Sequence, residues 1–174
     1  MNTIISLTGS CLATFVVSAL IREKFNMEDI LNATLAGGVA IGAPAGVTAN
    51  PAASMVVGIL AGAISVLCYK FLTTKLEEWV NLYDTCGVNN LHGIPGILGG
   101  LSSAVIIVAY GNIPLTDPTQ ISQLGFYSAL TADGAQRNFQ SQALFQIAGT
   151  FSSMAMGILF GFAAGLICRC FYSF

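Results

Sequence analysis

Long apolar runs separated by short polar breaks set the rhythm of this chain. Residues 4–21 are apolar and close on Arg22-Glu23-Lys24. That is close to the minimum length for a membrane-crossing helix, and the charges mark an aqueous boundary. The linker 25–31, with Glu28 and Asp29, reads as interfacial. Residues 32–49 are apolar but built on Gly37, Gly38, Gly42 and Gly46, with Pro44 between the last two. In lipid such glycines let another helix approach closely, so this stretch is expected to be a short or broken spanning helix buried in protein. Asn50-Pro51 then turns the chain, because the residue before a proline avoids the helical region. A clearer span follows at 52–72, with Gly58 and Gly62 as a small-residue stripe and Lys70 near its end. Trp79, after Glu77-Glu78, suits an interfacial anchor. The next span is 87–110. Residues 111–138, which carry Pro114, Asp117, Pro118, Asp133, Gly134 and Arg137, lack an apolar run of spanning length. They read as an extramembrane loop with one short helix around 121–129. The last run, 139–168 with its spanning part at 141–168, carries Gly149 and then Gly157, Gly161 and Gly165 four apart on one face, before a basic and aromatic tail from Arg169.

The densest chemistry lies where the fourth span begins, at Asp84-Thr85-Cys86-Gly87-Val88-Asn89-Asn90-Leu91-His92-Gly93-Ile94-Pro95-Gly96. A helix starting near Asp84 and ending near Tyr110 is long enough to cross a bilayer and carries these polar groups into it. Asp84 is placed as an N-cap, its carboxylate accepting amide hydrogens that the first turn leaves unpaired. Pro95 removes one donor and frees a carbonyl one turn back, which predicts a kink or local loosening.

Composition sharpens this picture. Of 174 residues 55% are hydrophobic and 8% charged, with a mean hydropathy of +0.76. A soluble domain carries roughly a quarter of its residues as charges, so the chain is expected to be an all-α integral membrane protein of about five transmembrane helices. The net charge of −2 and the absence of a basic cluster argue against nucleic acid. The first span lacks the positive leader of a signal peptide. Cys11, Cys68, Cys86, Cys168 and Cys170 show no repeated spacing and read as small apolar packing residues, with a redox or metal pair at 168 and 170 as the lesser alternative. One histidine, His92, cannot build a multi-histidine metal site, and no phosphate loop or catalytic triad is present. Neither enzyme activity nor a cofactor is expected. Five spans put Arg22, Lys24, Lys70, Lys75 and Arg169 on one side and Arg137 on the other. The positive-inside rule then places the N-terminus out and the C-terminus in, provided that 32–49 crosses fully. The plasma membrane and an organelle membrane, such as the mitochondrial inner membrane, are not distinguished.

The stretch 84–96 resembles the signature helix of the Rhesus-type branch of the ammonium transporter family. Asn32-Ala33-Thr34-Leu35-Ala36-Gly37-Gly38-Val39-Ala40-Ile41-Gly42 resembles a second motif of that branch, and Phe25-Asn26-Met27 and Tyr69-Lys70-Phe71-Leu72 sit in similar contexts. The resemblance runs through the chain but covers only the C-terminal half of a family member, roughly its last five helices. It implies half of an inverted-repeat fold. In the complete fold, trimeric subunits each carry a narrow apolar pore between two halves, with two facing histidines at its centre and aromatic residues at its mouth. By this resemblance the pore-histidine position is Asn89, and His92 matches a second histidine of the motif, one turn away. Asparagine donates and accepts hydrogen bonds but carries no proton.

The resemblance leaves Asn89 either as the lining of a pore, working or vestigial, or as an interhelical hydrogen-bonding residue. His92 is left to fix the helix near Asn89, to touch substrate, or to lie at the interface. Gly37, Gly38, Gly42, Gly58, Gly62, Gly157, Gly161 and Gly165 are expected to pack helices. The aromatics Phe126, Tyr127, Phe139, Phe145 and Phe151 are taken as structural. Two functions follow. In one, this is a half-length subunit whose ammonia or ammonium channel activity needs a partner supplying the missing half. In the other, it is a transport-inactive structural subunit of a larger membrane complex. Both expect other membrane chains and lipids as neighbours. Both also predict that Gly161→Leu disrupts assembly, and undiminished recovery of the complex from a mild detergent extract would overturn that.

Overall fold

The computed structural model describes residues 1–48, 50–111 and 138–172. The expected loop at 111–138, its short helix at 121–129, Arg137, Phe126, Tyr127 and the last two residues of the tail fall almost wholly outside the described residues. Every regular element among the described residues is a helix, and four stretches are long and apolar enough to cross a membrane: Asn2–Ile21, Pro51–Val80, Asn89–Ala109 and Phe139–Phe171.

The helices are α1, Asn2–Ile21; α2, Met27–Asn32; α3, Ala36–Ala40; α4, Pro51–Leu67; α5, Thr73–Val80; α6, Ile94–Gly111; and α7, Phe139–Phe171. A π-helical turn at Cys68–Leu72 joins α4 to α5, and another at Asn89–Gly93 leads into α6. Asn50 caps α4 by accepting the Ala52 amide at 2.9 Å, with Pro51 at the first helical position where no donor is needed. Asn81 ends α5 in the left-handed region at φ 52°, a conformation asparagine tolerates.

The stretch 32–49 is the exception to long helices. It is divided among the end of α2, a 3₁₀ turn at Ala33–Leu35, α3 and a second 3₁₀ turn at Pro44–Gly46. No piece is long enough to cross a membrane alone. Interrupted backbone is tolerated in lipid only where protein satisfies it, and α1 does so with one polar row. Asn2 donates to the carbonyls of Ala45 and Thr48 at 3.0 and 2.9 Å. Ser6 donates to Gly37 O at 2.8 Å. Ser10 donates to Ala33 O at 2.8 Å and accepts the Gly37 amide at 3.0 Å. Ser18 donates to the Asp29 carboxylate at 2.9 Å. Asn2, Ser6, Ser10, Thr14 and Ser18 recur every fourth residue, which keeps them on one helix face. The partners run in the opposite order, so the broken stretch passes antiparallel along the whole of α1.

At the far end Arg22 pairs with the fully buried Asp29, Nε to Oδ2 at 2.9 Å and a second nitrogen to Oδ1 at 3.2 Å. Lys70 donates to the Ile21 carbonyl. The first contact ties α1 to α2 and the second ties the C-terminal end of α1 to that of α4, and with Gly58 beside Ser6 and Gly62 beside Ser10 the helices α1 and α4 run parallel. They also run close: a Cβ on Gly62 would lie 2.5 Å from Ser10 O, and one on Gly58 would overlap Ser6 O. Gly37 is pressed on Ser6 in the same way, and Gly38 meets Leu7. Gly9, absent from the sequence expectation, faces Met55 O. A small apolar core of Ala36, Ala40, Ile41, Val57 and Ala61 fills the junction.

The α6 helix packs across this layer with Gly99 against Ala40, and α7 leans on α6 where Gly100 faces Thr150. A second core of Val47, Ala104, Ile107 and Ala143 closes their shared end. Beyond it α7 is bare. Every described residue from Phe151 onward is exposed, and added Cβ atoms at Gly149, Gly157, Gly161 and Gly165 would meet nothing within 4 Å. These glycines, expected to pack helices, meet no neighbour among the described residues. Gly42 contributes little either, its one neighbour being Val39 O of its own turn. Cys11 and Cys68 are half-buried, whereas Cys86, Cys168 and Cys170 are exposed, so the packing role fits the first two.

Ser10→Ala removes a donor and an acceptor from buried backbone and is expected to cost about 1–3 kcal/mol. Thr8→Ala, which removes a hydroxyl bonded to Ile4 O on the exposed face, should be near neutral. Paired unfolding measurements in detergent check this, and equal effects would deny the polar row its role.

Candidate functional site

The candidate site begins with the loop after α5. Asp84 folds its carboxylate over the start of the next helix, accepting the amides of Val88 and Asn89, each at 2.8 Å. The helix starts at Val88 rather than at Asp84, with the acid acting from four and five residues ahead. Gly87 adopts φ 67°, and its carbonyl accepts the Tyr69 hydroxyl at 3.0 Å. A side chain at Gly87 would be strained by that φ and would collide with the Tyr69 ring.

The loosening expected near Pro95 takes the form of the π turn. The Ile94 amide reaches Asn89 O, five residues back. Proline offers no N–H, so the Asn90 carbonyl is left without a helical donor. Ser65 of α4 supplies one at 2.9 Å. Asn90 itself is 1% exposed and donates through Nδ2 to Thr73 Oγ1 at 2.7 Å. Its Oδ1 accepts Nδ2 of Asn89 at 3.3 Å. Thr73 in turn donates to Cys68 O at 3.4 Å, within the other π turn. Two loosened turns thus face each other across a line of hydrogen bonds, and π turns are frequent at functional sites. Sequence reasoning singled out Asn89 and His92 and missed Asn90 and Thr73.

Asn89 opens onto a groove of about 920 Å³ between α6 and α7. One wall is Val88, Asn89, Gly93, Gly96 and Gly100, where missing side chains make the space. The other is α7, with Gln146, Thr150 and Ser153 as polar members and Met154 and Ile158 as apolar ones. Gly93 and Gly96 of the signature and Gly149 and Gly157 of the last span also line this groove. His92 is exposed, lies outside the groove, and has no hydrogen-bond partner among the described residues. The structure therefore separates the two residues that the motif pairs. Phe145 and Phe151 are exposed on α7, and neither lines the groove. Among the described residues no cluster of His, Cys, Asp or Glu could hold a metal ion. Chemically the described lining of the groove offers neutral hydrogen-bonding groups in an apolar wall and no proton carrier.

Asp84→Ala should cost about 1–2 kcal/mol, the usual loss of a cap, with Asp84→Asn intermediate. Hydrogen exchange at the Val88 and Asn89 amides reads this directly, and unchanged protection in both variants would contradict the cap.

Comparison with known proteins places this geometry. Residues 1–171 match the family described as the Ammonium Transporter Family. The ammonium transporter Rh type B of Bos taurus is 40% identical over 176 residues, covering 97% of this chain and 36% of the relative. The Xenopus tropicalis Rh type B protein is 40% identical over 173 residues, with the same shares. Rh type C of Rattus norvegicus is 37% identical, covering 97% of this chain and 34% of the relative. A solved structure of Nitrosomonas europaea Rh50, described with the mechanism of conduction by the Rhesus protein family of channels, matches with a TM-score of 0.58 at 32% identity. It covers 92% of this chain and 46% of that one. The chain spans about a third of the length of the curated relatives it matches.

Proposed function

The chain belongs to the ammonium transporter family, and from that premise we propose that it is a half-length Rhesus-type subunit that conducts ammonia only when further helices close its groove. The observation that carries this reading is the groove itself: Asn89 and a run of glycines form one wall, and the space stands open along α7. An apolar passage open to lipid on one side cannot confine a small polar solute. Another set of membrane helices must complete it.

The chemistry of Asn89 sets what passes. An unpaired cation in a dry apolar passage is costly, whereas a small neutral hydrogen-bonding molecule is not. Asn89 can bond ammonia but cannot accept a proton from ammonium. Cargo crossing this wall is neutral ammonia, and any proton relay belongs to the covering helices. The basic residues Arg22, Lys70 and Lys75 near one end of the bundle support a cytoplasmic-type face there and an outward N-terminus.

A second reading has its own observation. Gly157, Gly161 and Gly165 face open space on a helix that is exposed over most of its length, which suits packing against unrelated membrane subunits in a complex that transports nothing. Lipids and other membrane chains are neighbours in both readings.

Flux separates them. The chain recovered with its native membrane partners and reconstituted in liposomes should collapse an ammonia-driven pH difference faster than empty liposomes, while the chain alone should not. In the complex, Asn89→Leu should slow flux roughly tenfold, the equivalent of one lost hydrogen bond of about 1–1.5 kcal/mol. Asn89→His should keep flux and add a proton-coupled component. An intact complex with no flux above background would favour the structural subunit.

A further inference from the structure

We propose that Thr73 and Asn90 are positioning residues that lock the Asn89 side-chain amide with its carbonyl oxygen toward the groove. The orientation stands on hydrogen-bond geometry alone; its use for a passing solute rests on the channel reading above.

The polarity of the line is set at its far end. The Cys68 carbonyl can only accept, so the Thr73 hydroxyl, 3.4 Å away, is the donor there. That hydroxyl has one proton, and with it directed to Cys68 only lone pairs remain for Asn90. Asn90 must then present its NH₂ to Thr73, at 2.7 Å. Its Oδ1 consequently faces Asn89, and a carbonyl oxygen there requires a donor opposite, which is Asn89 Nδ2 at 3.3 Å. One atom of the Asn89 amide is left: Oδ1, which lies beside Gly93 on the groove wall, 2.9 Å from where a Cβ on that glycine would sit.

Reversing one amide alone would set two oxygens or two NH₂ groups against each other, and reversing both would turn the Thr73 hydroxyl away from Cys68 O. Asn90 is buried too deeply for water to repair the mismatch. The backbone of Asn90 is held as well, by Ser65 on its carbonyl, so the line cannot relax by rotating the turn. The groove thereby presents an acceptor at this point of its wall. A solute bringing N–H groups meets a partner there, and one bringing only lone pairs does not. The same line ties the residue facing the groove to the junction of α4 and α5.

The test is magic-angle-spinning NMR of the full chain in lipid bilayers, labelled with ¹⁵N,¹³C-asparagine and ¹³C-glycine, with Asn89→Asp and Asn90→Asp used to identify peaks. The expected result is a short contact from Asn89 Nδ2 to Asn90 Cγ and none to Gly93. A contact from Asn89 Nδ2 to Gly93 in the unsubstituted chain would overturn the proposal without need of any variant. Thr73→Ser keeps the hydroxyl and should keep the contact. Thr73→Val should cut it at least twofold while the backbone shifts of Asn89 and Asn90 stay in place, and an undiminished contact would deny Thr73 its role. In the chain recovered with its native membrane partners, ammonia supplied at alkaline pH, where the neutral form dominates, should move the Asn89 Cγ resonance and leave Nδ2. If the Nδ2–Asn90 contact is present there but Cγ does not move, the orientation stands and the channel reading fails.

Discussion

A backbone amide in lipid must find a partner inside the protein, and the arrangement of this chain follows from that requirement. Stretch 32–49 gives up regular helix at two places, and at each a side chain of α1 reaches the loosened backbone. Hydroxyls are suited to this. They are short enough to let helices touch, and each can donate and accept at once, as Ser10 does with Ala33 O and the Gly37 amide. Because α1 serves the break, α4 must come in beside α1, and the closeness of Gly58 and Gly62 to its backbone is the steric counterpart of those bonds.

The same requirement acts again where α4 and α6 meet. Pro95 and the π turn leave the Asn90 carbonyl unfilled, and Ser65 fills it. The loosened turn also rotates Asn89 onto the groove wall and buries Asn90. A feature that looks like a defect in the helix is what separates the two asparagines into a residue that faces the groove and a residue that holds it.

Much of the layout was legible in the sequence, because long apolar runs and their charged ends are properties of whole segments. The broken character of 32–49 was legible from its glycines and proline, and Asp84 was legible as the cap of the helix that begins at Val88. The polar row of α1 was not. Ser6, Ser10, Thr14 and Ser18 barely lower the hydropathy of a run rich in Ile, Leu and Val, and only their four-residue spacing, read against the unsatisfied backbone opposite, reveals them. Asn90 was hidden for a different reason. Beside Asn89 and His92 it is one polar residue among several, and which of them faces inward depends on a π turn that shifts the helical phase. Glycines were legible as small residues but not by destination: Gly58 and Gly62 are filled by α1, whereas Gly157, Gly161 and Gly165 meet none of the described residues.

That division has a mechanical meaning. The layer of α1, the broken stretch, α4 and α6 is tied by buried hydrogen bonds, an ion pair and glycine contacts, and it fixes the wall that carries Asn89. The opposite wall is α7, held mainly at its first turns through Ala143 and at Thr150 against Gly100. From Phe151 onward every described residue of it is exposed. The width of the groove is therefore set on one side by this chain's own interior and on the other by whatever packs on the open face of α7. A neighbouring helix seated on Gly157, Gly161 and Gly165 would fix the distance between Asn89 and Ser153 without touching either, so an assembly that covered α7 would also set the dimensions of the groove.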